Sequence, residues 1–135
     1  MAKCDSHYKT PIVSINKKML QKKDFKPFKL CKSQFAMTAH VVYSKYDQKN
    51  TATHSKIIIR KVIRDYIKFK GILISDDISM KSLKNDLVNN AMLALGAGCN
   101  LVLHCNGRML EMKKLAKVIP KIDNFLQKKT SHFYK

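Results

Sequence analysis

Ten consecutive residues hold the strongest hint of chemistry: Gly71-Ile72-Leu73-Ile74-Ser75-Asp76-Asp77-Ile78-Ser79-Met80. The apolar opening suits a strand buried on both faces, as in a parallel sheet. Two carboxylates at its far end would be costly in a core. They make sense at the mouth of an α/β fold, where strand carboxyl ends deliver reactive groups. The local pattern equally allows Asp76 or Asp77 simply to cap a following helix. A second ionisable cluster, Asp5-Ser6-His7, reads on its own as an ordinary polar surface loop. His40 lies within the largely apolar run 35–43, and His104 and Asn106 lie in the polar end of the run 100–106. Cys4, Cys31, Cys99 and Cys105 show no C-x-x-C spacing, so unpaired thiols are expected rather than a zinc or redox site, and no metal is expected.

The elements that must position these groups follow from periodicity. Residues 11–14 read as extended chain and 17–31 as broken helix, with Asp24 and Pro27 starting a turn that buries Phe25, Phe28 and Leu30. A strand is expected at 35–43 and a polar loop at 47–53. Ser55 then caps a helix to about residue 67, with Ile59, Val62, Ile63, Tyr66 and Ile67 on one face. After the Ser-Asp-Asp strand, a helix over 85–95 buries Leu87, Val88, Ala91, Met92 and Leu95, and Gly96 and Gly98 stop it. A strand at 100–106, a helix at 109–119 and a turn beyond Pro120 complete the order, with a polar tail from Lys128. Strands alternating with helices predict an α/β fold with a parallel sheet and right-handed crossovers. Three such strands neither close a barrel nor make a good open sheet.

Composition narrows the classes. At 135 residues the chain is at most one domain, and 45% hydrophobic content argues against disorder. No apolar run nears the roughly 20 residues of a membrane span, and no secretory signal opens the sequence, so the expected location is the cytoplasm. The net charge of +18 raises nucleic acid as a partner. Of the 27 basic residues, however, only Arg60, Arg64 and Arg108 are arginine. The lysines are spread through every segment, without the aromatic interleaving of single-strand binders. The charge therefore reads as solvated surface, with no nucleic acid and no membrane expected as partners.

Four motifs in register, Asp5-Ser6-His7, Ala36-Met37-Thr38-Ala39-His40, Ser75 to Met80, and Ala97-Gly98-Cys99-Asn100 with His104-Cys105-Asn106, resemble the family 3 glycoside hydrolases. Among these they are most similar to the bacterial β-N-acetylglucosaminidases of cell-wall recycling. The similarity runs from about Cys4 to Phe125. It implies a partial (β/α)8 barrel equivalent to about the last three β/α units, with residues 1–127 in the barrel domain and 128–135 a tail. The Lys-His-Phe-Pro-Gly-His-Gly-like segment usual before Asp-Ser-His is not present, and Tyr66 stands where a polar or charged residue is common.

The resemblance implies a retaining β-N-acetylhexosaminidase acting on N-acetylglucosamine-containing muropeptides. Asp76 would be the nucleophile, His7 the acid/base and Asp5 its orienting partner. Asp77 would cap a helix or support the site. His40 would either touch substrate or support the site, and His104 and Asn106 would support the barrel mouth. No cofactor is implied. A separate chain supplying the missing strands is one way to complete such a barrel; alone, this half is expected to be inactive. The rival readings are a truncated, inactive relic and, further off, a basic nucleic-acid-binding protein.

Overall fold

The computed structural model describes residues 5–131; Cys4 and the end of the tail lie outside them. In chain order the elements are β1 (Ile12–Val13), α1 (Lys17–Met19) running into a π-turn (Leu20–Asp24), α2 (Lys26–Leu30), β2 (Phe35–Met37) and β3 (Val42–Tyr43). A π-helix (Ile58–Tyr66), β4 (Ile72–Asp77), α3 (Leu87–Ala97), β5 (Leu101–Leu103), α4 (Met109–Val118) and α5 (Asn124–Thr130) follow. The fold is α/β with two parallel sheets, β2-β4-β5 and the small pair β1-β3.

β4 is the central and most buried strand of its sheet: Ile72 and Leu73 are essentially inaccessible. Leu73 packs with Ile59, Ala94, Ala97 and Cys99, while Ile78 packs with Leu83, Ala91 and Leu115. The ladder between β4 and β5 slips between Ile74↔Leu101 and Asp77↔Leu103. At the slip the buried Ser75 hydroxyl, rather than a carbonyl, accepts the Leu103 N–H at 3.0 Å. A side chain thereby satisfies a backbone donor the irregular ladder would strand. The pairing continues to the aspartates, and Ile78 N–H reaches the Leu103 carbonyl at 2.9 Å.

Several expectations are corrected. The single strand at 35–43 is two: β2 pairs with β4, and β3 with β1. The break falls at residues 38–41, where Thr38 and His40 turn into the interior. The helix capped by Ser55, whose Oγ accepts the Ile58 N–H, is wound with wide turns. Its Ile67 N–H reaches the Val62 carbonyl, five residues back. Phe28 and Leu30 are exposed, since five-residue α2 covers only a little surface, and Phe25 alone of the three is buried. Met92 is also exposed. α3 packs through Asn90, Ala91, Ala94 and Ala97, small enough to sit close on the sheet. Gly98 ends it in the left-handed region at φ 117°. Gly71 admits no side chain: a Cβ there would stand 2.3 Å from the Gln34 carbonyl oxygen.

Candidate active site

Three segments converge beyond the carboxyl ends of β4 and β5. The first is the strand end itself. Asp76 Oδ1 accepts the Asp77 N–H at 2.8 Å, and the partly exposed carboxylate lies at the surface of the sheet end. Asp77 is more heavily engaged. Its Oδ1 accepts the Ser79 N–H at 3.0 Å, the Ser79 hydroxyl at 2.8 Å and the Cys105 N–H at 3.2 Å. It holds a turn and ties β4 to the chain leaving β5. It caps no helix: the next one, α3, begins at Leu87 and is capped by Asp86.

The second segment is the loop carrying Asp5 and His7. Asp5 Oδ1 accepts both the His7 N–H at 2.9 Å and the ring Nδ1–H at 2.8 Å. The Asp5 carbonyl accepts the Tyr8 and Lys9 N–H groups in a tight turn. The Thr10 hydroxyl donates to the Ser82 carbonyl, fastening this loop to the one that follows Asp77. The hydrogen bond and charge of Asp5 raise the His7 imidazole above its ordinary 6.5, and the charges of Asp76 and Asp77 add to the effect. In return, hydrogen bonds from His7's backbone and ring lower Asp5. The Thr10–Ser82 hydrogen bond brings the loop of His7 to the loop that follows the strand-end carboxylates, although the two are far apart in sequence.

The third segment is residues 104–106. His104 Nε2 meets Glu111 Oε2 at 2.9 Å and the Asn106 amide donates to the same oxygen at 2.6 Å. Arg108 adds a contact to Oε1 at 3.3 Å. Hydrogen bonds from Asn106 first, then His104 and Arg108, hold the Glu111 carboxyl down at about 2. His104 and Asn106 thus brace the end of β5 against the first turn of α4. Glu111 was missed in the sequence because nothing marks it apart from other helix carboxylates. Cys105 is exposed; partial desolvation and the negative charges of Asp77 and Asp76 push its thiol up.

His40 sits beneath this surface rather than on it. It is wholly buried, with Nε2 2.8 Å from the Asp77 carbonyl and Nδ1 2.8 Å from Thr53 Oγ1. The carbonyl can only accept, so Nε2 carries hydrogen, and Nδ1 is then free to accept from the Thr53 hydroxyl. The Thr38 hydroxyl lies 2.9 Å from Thr53 Oγ1 and extends the chain. With both nitrogens engaged and no exposed surface, His40 has nothing to offer a substrate, and its expected contact gives way to support of the Asp77 backbone. Nothing in the sequence marks Thr38 or Thr53 as a partner, since the turn at residues 38–41 and the polar loop meet only in the fold. Beside them, burial pushes the Cys99 thiol up to about 12.

Among the described residues no group of three or more His, Cys, Asp or Glu could hold a metal ion, and no helix is long and apolar enough to cross a membrane. Two cavities, of about 490 and 650 Å³, open at the opposite, amino-terminal end of the strands, away from Asp76.

Comparison with known proteins identifies the family. Residues 1–130 match the family described as glycosyl hydrolase family 3 N terminal domain. A β-hexosaminidase of Haemophilus influenzae is 36% identical over 110 residues, which are 77% of this chain and 31% of that protein. The solved structure of NagZ from Neisseria gonorrhoeae in complex with N-trifluoroacetyl-D-glucosamine superposes with a TM-score of 0.80 at 28% identity, covering 95% of this chain and 38% of that one. CbsA from Thermotoga neapolitana gives 0.76 at 32%, covering 87% and 29%. The chain spans about a third of the length of the curated relatives it matches.

Proposed function

Because the chain belongs to glycosyl hydrolase family 3, we propose that it forms the catalytic mouth of a retaining β-N-acetylhexosaminidase. In this reading β2-β4-β5 and their helices correspond to the last three β/α units of a (β/α)8 barrel, with residues 1–127 in that domain. The substrate is a terminal β-linked N-acetylglucosamine on a cell-wall muropeptide, processed in the cytoplasm. The neighbour solved with an N-acylated glucosamine supports the sugar.

Retention requires a carboxylate that attacks the anomeric carbon and a second group that protonates the leaving oxygen. Asp76 attacks through a carboxylate oxygen; the glycosidic bond breaks as His7 gives its proton to the departing oxygen. In the second step His7 takes a proton from water, the water oxygen bonds to the anomeric carbon, and Asp76 leaves as carboxylate. Asp5 keeps the imidazole oriented and favours its protonated form. Asp77 takes no part in bond making; with three donors on its carboxylate it fixes the turn that presents Asp76. His40, His104 and Asn106 act beneath and beside it as supports.

One observation carries the reading: the loop holding the Asp5–His7 pair is fastened by Thr10 to the loop that follows Asp77, at the strand end where Asp76 stands partly exposed. A mechanism-based fluorosugar tests it. In an enzyme whose barrel is complete around these residues, the label is expected on the peptide holding Asp76, and labelling of Asp77, or of neither, overturns the assignment. The alternative, a family member that does not turn substrate over, draws on the two cavities lying away from Asp76. It predicts sugar binding with no labelled aspartate and no released product.

A further inference from the structure

The cavity of about 490 Å³ at the amino-terminal end of β2 and β4 is lined by Lys29, Lys32, Lys68, Lys70 and Lys129, and no carboxylate lines it. None of the five forms an ion pair among the described residues. All five are exposed, and Lys29 lies 4.3 Å over the Tyr66 ring. Spread evenly over a basic surface, lysines would keep apart. Gathered around one concavity, they repel one another and focus a positive field into it. Exposed Phe28 and Phe35 stand in the same wall and offer apolar faces beside the charges. The neighbouring cavity shares Lys70 and Lys129 and adds the Arg64 guanidinium and one carboxylate, Asp123.

The wall is built rather than loose. Lys68 has φ of 65°, the only non-glycine residue with positive φ among those described, a conformation that costs energy and must be held by its surroundings. Arg64 holds it, donating from Nη1 to the Phe69 and Gly71 carbonyls at 3.0 and 2.9 Å on either side of Lys70. The volume is that of a small-molecule site, and lysine binds phosphate as a mobile point charge.

We propose that this cleft binds a small molecule carrying a di- or triphosphate, at the end of the sheet opposite Asp76. The full chain is titrated with inorganic phosphate, pyrophosphate and ADP at constant ionic strength, with amide shifts and calorimetry as readouts. Saturable pyrophosphate binding is expected, about tenfold or more tighter than phosphate because the second group engages further lysines. The shifts should fall on residues 28–35 and 67–71. ADP binding more tightly than pyrophosphate identifies a nucleotide; equal binding identifies the phosphates alone. The K68N/K70Q variant should lose about tenfold or more in affinity, asparagine being chosen because it tolerates a positive φ. K32Q/K129Q should do the same from the far wall. The exposed pair K45Q/K113Q, outside the cleft, should change it little. Shifts scattered over every lysine-bearing surface, equal losses in all three double variants, or binding only to long polyanions would overturn the proposal.

Discussion

The two ends of the three-stranded sheet are held by opposite means. At the amino-terminal end, side chains serve the backbone. Arg64 donates to two carbonyls and, through Nη2, to Asn100 Oδ1 at 2.8 Å, while that same oxygen accepts the Leu73 N–H. At the carboxyl-terminal end, backbone serves side chains: the amides of Asp77, Ser79 and Cys105 are turned onto the carboxylates of Asp76 and Asp77. The first arrangement commits the guanidinium's hydrogen bonds to strand positions. The second leaves charge oriented, partly solvated and available. Substitutions at the first end should therefore show in stability, and at the second in chemistry.

The largest effect tests the second half of that contrast. In a working hydrolase containing these residues, Asp76→Ala should lower turnover of an aryl N-acetylglucosaminide by about 10⁴-fold or more, since no covalent intermediate can form. Its folded state should be nearly unchanged, because the variant removes a single hydrogen bond to a neighbouring amide. Retention of a tenth of the activity, or a collapse in stability, would break the comparison at this end.

Arg64→Met is the counterpart. It strips three hydrogen bonds from acceptors at the strand starts, and leaving partly buried carbonyls unsatisfied costs about 1–3 kcal/mol each at most, so a total near 3 kcal/mol is expected. Denaturant unfolding would show it as a lower midpoint. Activity per folded molecule should hold. A variant of normal stability but without activity would reverse the assignment of roles to the two ends.

His40 sharpens the comparison because it links interior to mouth. His40→Leu takes the ring N–H from the Asp77 carbonyl and leaves the Thr53 hydroxyl only Thr38, at a cost of about 1–3 kcal/mol. If His40 only supports, KM should stay within a few-fold while kcat falls, as the peptide after Asp76 loosens. A large rise in KM with kcat intact would instead restore a substrate contact that its burial denies.

How much of this was legible depended on whether partners were near in sequence. The central strand and its terminal aspartates declare themselves, because apolar residues followed by Ser-Asp-Asp leave little choice of environment. The parallel α/β class follows from alternation alone. The break in the strand at 35–43 was hidden, since its cause, a ring bonded to Thr53 and to the Asp77 carbonyl, depends on contacts 13 and 37 residues away. Periodicity likewise gave the helix after Ser55 but not its wide winding. Lysines that look evenly scattered along the chain meet at one cavity only once α2, the 68–70 turn and α5 are folded together. A common role for His7 and Asp76 was suggested only by resemblance to a family, for no local pattern joins them.

The smallest effect is the most discriminating for His7, and it is read in pH. Asp5 raises the imidazole and is itself lowered. A raised histidine contributes stability that is fully present below its unfolded value, ordinarily 6.5, and is lost as pH rises through the folded value. A lowered aspartate contributes above its unfolded value, ordinarily 3.8, and loses that contribution as pH falls through the folded value. The pair is thus strongest between those two ordinary values, and being solvent-exposed it shifts stability little. Asp5→Asn keeps an oxygen that can accept the ring N–H but removes the charge. The His7 titration, followed by its ring resonances, should move to lower pH. If His7 is the proton donor, the alkaline limb of kcat/KM must move down with it, because the limb reports the acid in the free enzyme. A titration that moves while the limb stays would make His7 an ordinary loop histidine beside the site. A titration that does not move would mean that Asp5 and His7 are not paired in solution.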